Sequence, residues 1–182
     1  MKGRALQQPV RGGAQDRPDV GALDAHVLFD VLPDDRAPRT ARARYALVID
    51  PSDVKIGSTN VLNYIPSSLS HFDTPMTVRV SMSRPALGNE LTLHFVNYNR
   101  EEPADKTATG GGIKNEKPIP APPGEADLKL DSKARVQRVE FLTPELEQAR
   151  VLDFEQTGKR LRVRIPGFLV YAVVRIQLFQ PN

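Results

Sequence analysis

The sequence predicts an all-β protein, an antiparallel two-layer β-sandwich of immunoglobulin-like or related type. Two observations carry this. Sixteen prolines and twelve glycines against seven phenylalanines, four tyrosines and no tryptophan favour short elements joined by turns over long helices. From Met76 onward, apolar and polar residues also alternate with period two in segment after segment, the signature of strands with one dry face.

The first 23 residues are rich in Arg, Gln, Gly, Asp and Pro without apolar period, so they read as a disordered lead-in that cannot offset its ordering entropy. Residues 24–73 read as a linker or the remnant of another domain. Within them AHVLFDVL, before Pro33-Asp34-Asp35, is a strand candidate. YALVID at 45–50 is apolar almost throughout and fits a strand covered on both faces, as in a parallel sheet. PSDVKIGSTNVLNYIPSSLSHFDTP, 51–75, is turn-rich and irregular.

The sandwich domain is expected over 74–182. In MTVRVSM, Met76, Val78, Val80 and Met82 share one face; in ELTLHFVN, Leu91, Leu93 and Phe95 face inward and Thr92, His94 and Val96 outward. SRPALGN between them supplies Pro85 and Gly88, so the two strands should form an antiparallel hairpin. Face matching sets Val78 opposite Phe95, Val80 opposite Leu93 and Met82 opposite Leu91, or a register shifted by two. The first register puts Arg79 across from His94.

Residues 100–125 hold a proline- and glycine-rich excursion, REEPADKTATGGGIKNEKPIPAPPGE, expected as a mobile surface loop. Alternation resumes in DLKLD, VQRVEFL, RLRVRIP and FLVYAVVRIQLF. Leu161, Val163 and Ile165 oppose Arg160, Arg162 and Arg164. Val170, Ala172, Val174, Ile176 and Leu178 keep one parity. About six such strands must bury their dry faces against one another, and two packed sheets do so most simply.

Most chemistries lack their parts. Without cysteine there is no disulfide, thiolate nucleophile or cysteine metal site. His26, His71 and His94 are scattered, with no HxH or HExxH, so neither metal nor cofactor is expected. A net charge of +3 with dispersed arginines is no basic stripe for nucleic acid. No apolar run reaches signal-peptide or membrane-helix length, which leaves the compartment open and points to no membrane partner.

Gly110-Gly111-Gly112 lacks the GxxxxGK[ST] frame and the preceding strand of a phosphate loop. Glu101-Glu102 and Asp34-Asp35 read as solvated turns. Ser70, His71 and Asp73 would make a hydrolytic set only with a sharp turn to present the serine, and none is signalled. The arginines at 160, 162 and 164 read as a solvated strand face.

ELTLHFVNYNREEP, GGGIKNEKPI, VEFLTPE and RLRVRIPGFLVYAVVRI together resemble the C-terminal β-sandwich region of multidomain bacterial glycoside hydrolases of the β-galactosidase type and their relatives, over residues 74–179. HVLFDVLPDD and RYALVIDPSDV resemble two neighbouring parallel strands of the amidotransferase-like trimerisation domain that precedes that sandwich. The catalytic barrel, roughly 250 residues by itself, has no counterpart, and none of its catalytic acids is carried over.

The resemblance implies a fragment or truncated relative with no active centre: an accessory domain that packs on a catalytic glycosidase domain or a neighbouring subunit. It also implies that residues 25–50 either add to the sandwich edge or are poorly ordered. The competing expectation is an independent carbohydrate-binding module, with Tyr98 and Tyr64 as aromatic platforms and His94 and Arg79 as their polar neighbours.

Overall fold

The computed structural model describes residues 68–85, 88–101 and 117–179, with His26, Leu28 and three upstream strands. Those strands are β1 (Gly3–Gln7), β2 (Asp30–Leu32) and β3 (Tyr45–Ile49). They form a parallel sheet in the order β2-β1-β3. Both segments form strands of a parallel sheet, but β1 lies between them, so they are not the neighbouring pair that the resemblance implies, and neither pairs with a sandwich strand. β1 itself lies in the segment expected to lack structure, where GRALQ gives no alternation to read.

The remaining strands build the sandwich. One sheet has the order β10-β11-β7-β4, from β4 (His71–Asp73), β7 (Gly124–Lys129), β10 (Phe154–Thr157) and β11 (Arg160–Ile165). The other has the order β5-β6-β12-β8-β9, from β5 (Val78–Ser83), β6 (Glu90–Asn97), β8 (Val136–Leu142), β9 (Arg150–Val151) and β12 (Tyr171–Leu178). All pairings within these two sheets are antiparallel, and no helix occurs among the described residues. The predicted all-β sandwich is therefore the fold.

The alternating residues fill the space between the sheets as their parity requires. Leu128, Leu161 and Val163 of the first sheet and Leu93, Phe95, Val139 and Val174 of the second are at most 1% exposed. Phe72 meets Phe95 edge-on, with ring centres 6.3 Å apart at 75°, and Phe168 meets the same ring at 6.3 Å and 60°. These aromatic contacts add to area burial and tie β4 to β6 across the core.

Two glycines show what the backbone asks of the sequence. Gly158 turns the β10–β11 hairpin at φ 57°, a left-handed conformation that glycine adopts without a Cβ penalty. At Gly124 a Cβ would stand 2.4 Å from the Asp73 carbonyl oxygen and 2.8 Å from Thr74 Cγ2. Only a residue without a side chain lets β4 and β7 approach so closely there.

The β5–β6 hairpin adopts the register shifted by two: Val78 opposes Asn97, Val80 opposes Phe95 and Met82 opposes Leu93. Arg79 therefore lies across from Val96, and Ser81 from His94. The ladder continues past the strand ends, where the Tyr98 amide donates to the Thr77 carbonyl at 2.9 Å. The long excursion after β6 has an ordered base: Arg100 bridges Pro118, and the Glu101 amide donates to the Lys117 carbonyl at 2.9 Å. Its interior, 102–116, lies outside the described residues.

Candidate functional site

Strand β6 carries the sequence-predicted residues to two places. At its end, Asn97 turns inward and is fully buried. Its Nδ2 donates to the carbonyls of Ile119 (2.7 Å) and Leu169 (2.8 Å), and its Oδ1 accepts from the Asn99 amide at 3.0 Å. One side chain thus fixes the exit of β6 to two other segments and leaves none of its hydrogen-bonding groups idle.

These loops and the turn before β5 present apolar side chains to solvent. Met76, Tyr98 and Ile119 are 64%, 62% and 37% exposed. The backbone bonds Tyr98–Thr77 and Ile119–Asn99 (3.1 Å) hold the three segments side by side. Arg79 borders this end, its Nη1 donating to the Met76 carbonyl at 2.6 Å. The upstream chain attaches here too. The buried His26 donates from Nε2 to the Thr74 carbonyl at 2.8 Å, and Leu28 packs against the core.

His94 stands apart from Arg79, on the outer face of the five-stranded sheet. Its partner comes from β12: Nδ1 lies 2.7 Å from the Tyr171 hydroxyl, the rings stack at 28° with centres 6.2 Å apart, and Nε2 lies 3.3 Å from Ser83 Oγ. The structure therefore joins His94 to Tyr171 and Ser83, neither of which sequence reasoning selected. Tyr171 has the outward parity on β12, but nothing in the sequence announces that β12 pairs with β6, 77 residues away. Tyr64 lies outside the described residues.

Beside Tyr171 the segment 143–149 curls back over the sheet. Thr143 Oγ1 donates to the Tyr171 carbonyl at 2.9 Å, and the Leu146 amide donates to the Thr143 carbonyl at 3.1 Å. Between this wall and the sheet lies an open groove of about 290 Å³.

Lower on the same face, Glu140 is buried although its strand position points outward. Arg175 Nε donates to its Oε2 at 2.9 Å, Arg175 Nη2 binds the same oxygen, and Arg138 Nη2 lies 2.9 Å from Oε1. The hydrogen bond and charge of Arg175, with help from Arg138, outweigh burial and hold this carboxyl below its ordinary range.

A depressed carboxylate pKa stabilises the fold fully above the ordinary glutamate value of 4.5. That contribution is lost as the pH falls through the lower folded value. Both arginines are substantially solvated, at 39% and 49% side-chain exposure, so screening limits the effect to about 1 kcal/mol. Urea titrations from pH 7 to pH 3 should show Glu140→Gln about 1 kcal/mol less stable at neutral pH. The variant should converge on the parent in acid; an equal gap at both ends would remove the charge from the explanation.

The other outer face is a lattice of paired charges. Asp127 takes Arg160 Nε at 2.8 Å and Arg162 Nε at 3.4 Å, and both arginines, Arg160 first, hold its carboxyl below the ordinary range. Two members of the arginine row are thus occupied by an acid on the neighbouring strand. Ser70 Oγ accepts from the Lys129 amide at 3.0 Å, so that hydroxyl extends the β7 edge. His71 and Asp73 are exposed on the outward side of β4, either side of the buried Phe72. Among the described residues no three His, Asp or Glu side chains gather as they would around a metal ion, and no helix is long and apolar enough to cross a membrane.

No protein family and no curated protein matches the chain. Solved structures that resemble it include α-L-fucosidase isoenzyme 2 from Paenibacillus thiaminolyticus, at 16% identity and a TM-score of 0.45, covering 62% of this chain and 16% of that one. Another is a cycloisomaltooligosaccharide glucanotransferase from Paenibacillus sp. in complex with cycloisomaltoheptaose, at 13% identity and a TM-score of 0.43, covering 87% of this chain and 27% of that one. The chain thus spans about a sixth and about a quarter of those two lengths.

Proposed function

We propose that the sandwich is a non-catalytic accessory module that packs against a catalytic glycosidase domain or a neighbouring subunit. The observation that carries this reading is the exposed trio Met76, Tyr98 and Ile119, gathered at the end where His26 and Leu28 tie the upstream chain on. Large apolar side chains clustered in one place on a soluble surface mark a contact surface more often than solitary ones do. Aromatic residues and methionine are also enriched in interface cores. Arg79 at the border adds a polar rim. The glycosidase partner is suggested by the resemblance of ELTLHFVNYNREEP and RLRVRIPGFLVYAVVRI to sandwiches that follow a catalytic barrel.

Sedimentation of the full chain, alone and mixed with the β-galactosidase-type hydrolase encoded by the same organism, tests the proposal. One of the two samples should associate, and Met76→Glu/Tyr98→Glu should weaken that association more than tenfold. The double variant should unfold at the parent's temperature, since both side chains are mostly solvated. Association that ignores the substitutions, or none in either sample at about 100 μM, where even a weak Kd would register, would refute it.

A further inference from the structure

The groove beside Tyr171 is separate in kind from the exposed end of the sandwich, and its lining is specific. We propose that it binds one neutral pyranose unit of a saccharide, with Tyr171 as the platform. The register places Tyr171 and Val173 on the outward side of β12, with Leu142 of β8 directly across from Val173. Outward positions of a sheet facing water are ordinarily polar, yet this floor is apolar. Leu146 stands over it, and Glu147 and Gln148 supply a carboxylate and a carboxamide at the rim.

That combination matches the two sides of a sugar ring. The C–H face of a pyranose is apolar and flat enough to lie on an aromatic ring and aliphatic floor. Its hydroxyls both donate and accept, as a carboxylate and a carboxamide beside them require. Nothing lining the groove is cationic, so a phosphate, sulfate or uronate would meet Glu147 without a counter-charge. A volume of about 290 Å³ lies at the small end for ligand sites, suited to one ring with further units continuing into solvent.

The platform is also held in place before any ligand arrives. His94 bonds the Tyr171 hydroxyl and stacks on its ring, Ser83 bonds His94, and Thr143 grips the Tyr171 carbonyl. A ring already fixed loses little rotamer freedom on binding. His94 is thus a positioning residue for Tyr171, which gives the histidine a role without direct contact to sugar.

Amide NMR of the full chain, titrated with the methyl β-pyranosides of galactose, glucose, mannose and fucose, provides the test. At least one should shift resonances of 142–149 and 171–173 with a Kd of about 1–10 mM, the range open to a ligand of this size. Tyr171→Ala should weaken binding about tenfold. His94→Ala should weaken it less, and Tyr171→Phe, which keeps the ring but not its hydroxyl, should behave like His94→Ala.

If Tyr171→Ala does not fold, Glu147→Ala/Gln148→Ala decides, since both side chains are exposed. No shifts with any of the four glycosides, or an affinity unchanged by the rim double variant and by Tyr171→Ala, would overturn the site. Met76→Glu/Tyr98→Glu should leave sugar binding intact, so this proposal and the packing proposal fail independently.

Discussion

Replacing Asn97 by alanine is expected to lower the stability of the sandwich by about 2–4 kcal/mol, because three part-buried backbone groups lose their partner at once. The carbonyls of Ile119 and Leu169 and the amide of Asn99 are all satisfied by this one side chain, and Asn97 is fully buried. Each stranded group costs about 1–3 kcal/mol, with water at the loop surface recovering part of the loss. Aspartate is no remedy: it presents acceptors to two carbonyls and brings a charge into a buried place.

Urea denaturation of Asn97→Ala and Asn97→Asp should therefore show both strongly destabilised, with aspartate at least as severe. A loss under 1 kcal/mol in the alanine variant would mean that water replaces the side chain. The same bonds hold the segments that present Tyr98 and Ile119. Asn97→Ala should accordingly weaken association through that surface even at temperatures where the variant remains folded.

This asparagine also shows where sequence reasoning reaches and where it stops. Face assignment within β5, β6, β11 and β12 was legible because parity is a local property, but it fails where the strand has not yet begun: Met76, placed by parity on the dry face with Val78 and Val80, lies in the turn before β5 and is 64% exposed. Register was legible only to within two residues, since a two-residue slip preserves every face. The Val78 amide closes a turn onto the Pro75 carbonyl at 2.9 Å and the Thr77 carbonyl pairs with Tyr98; these settle the choice, and no alternation encodes them.

Asn97 looks in the sequence like the solvated end of a strand, because a polar residue after an apolar run usually is one. Its burial depends on carbonyls 22 and 72 residues away. Parity places His94 on the outer face, as the structure has it, but of the two registers that parity leaves open only the first sets Arg79 across from it, and the structure adopts the other. The β5–β6 register sets Ser81 across from His94 in place of Arg79, and the pairing of β12 with the other edge of β6, a long-range one, brings Tyr171 to it.

Phe95→Ala should cost about 3–5 kcal/mol, the usual range for deleting a fully buried aromatic ring, against the about 5–15 kcal/mol that holds an ordinary domain together. Phe95 is 0% exposed and is touched by Phe72 from the opposite sheet and by Phe168 from the loop before β12. Its cross-strand neighbour on β12 is Ala172, the smallest inward residue of that strand.

Once the ring is gone, that small neighbour has nothing with which to refill the cavity, so the loss should fall at the upper end of the range. Phe95→Leu should cost about 1–2 kcal/mol, as a partial loss of volume would. Phe95→Ala/Ala172→Leu should recover part of the deficit by moving volume from one strand to the other. Denaturation midpoints of the three variants decide the matter: a double variant no more stable than Phe95→Ala would show that the aromatic contacts, rather than filled volume, join the two sheets. The proposed packing surface begins three residues further along the same strand path, at Tyr98. Conservative changes at Phe95 should leave association untouched, whereas the alanine variant should lose fold and association together, which separates a core residue from a contact residue on the same segment.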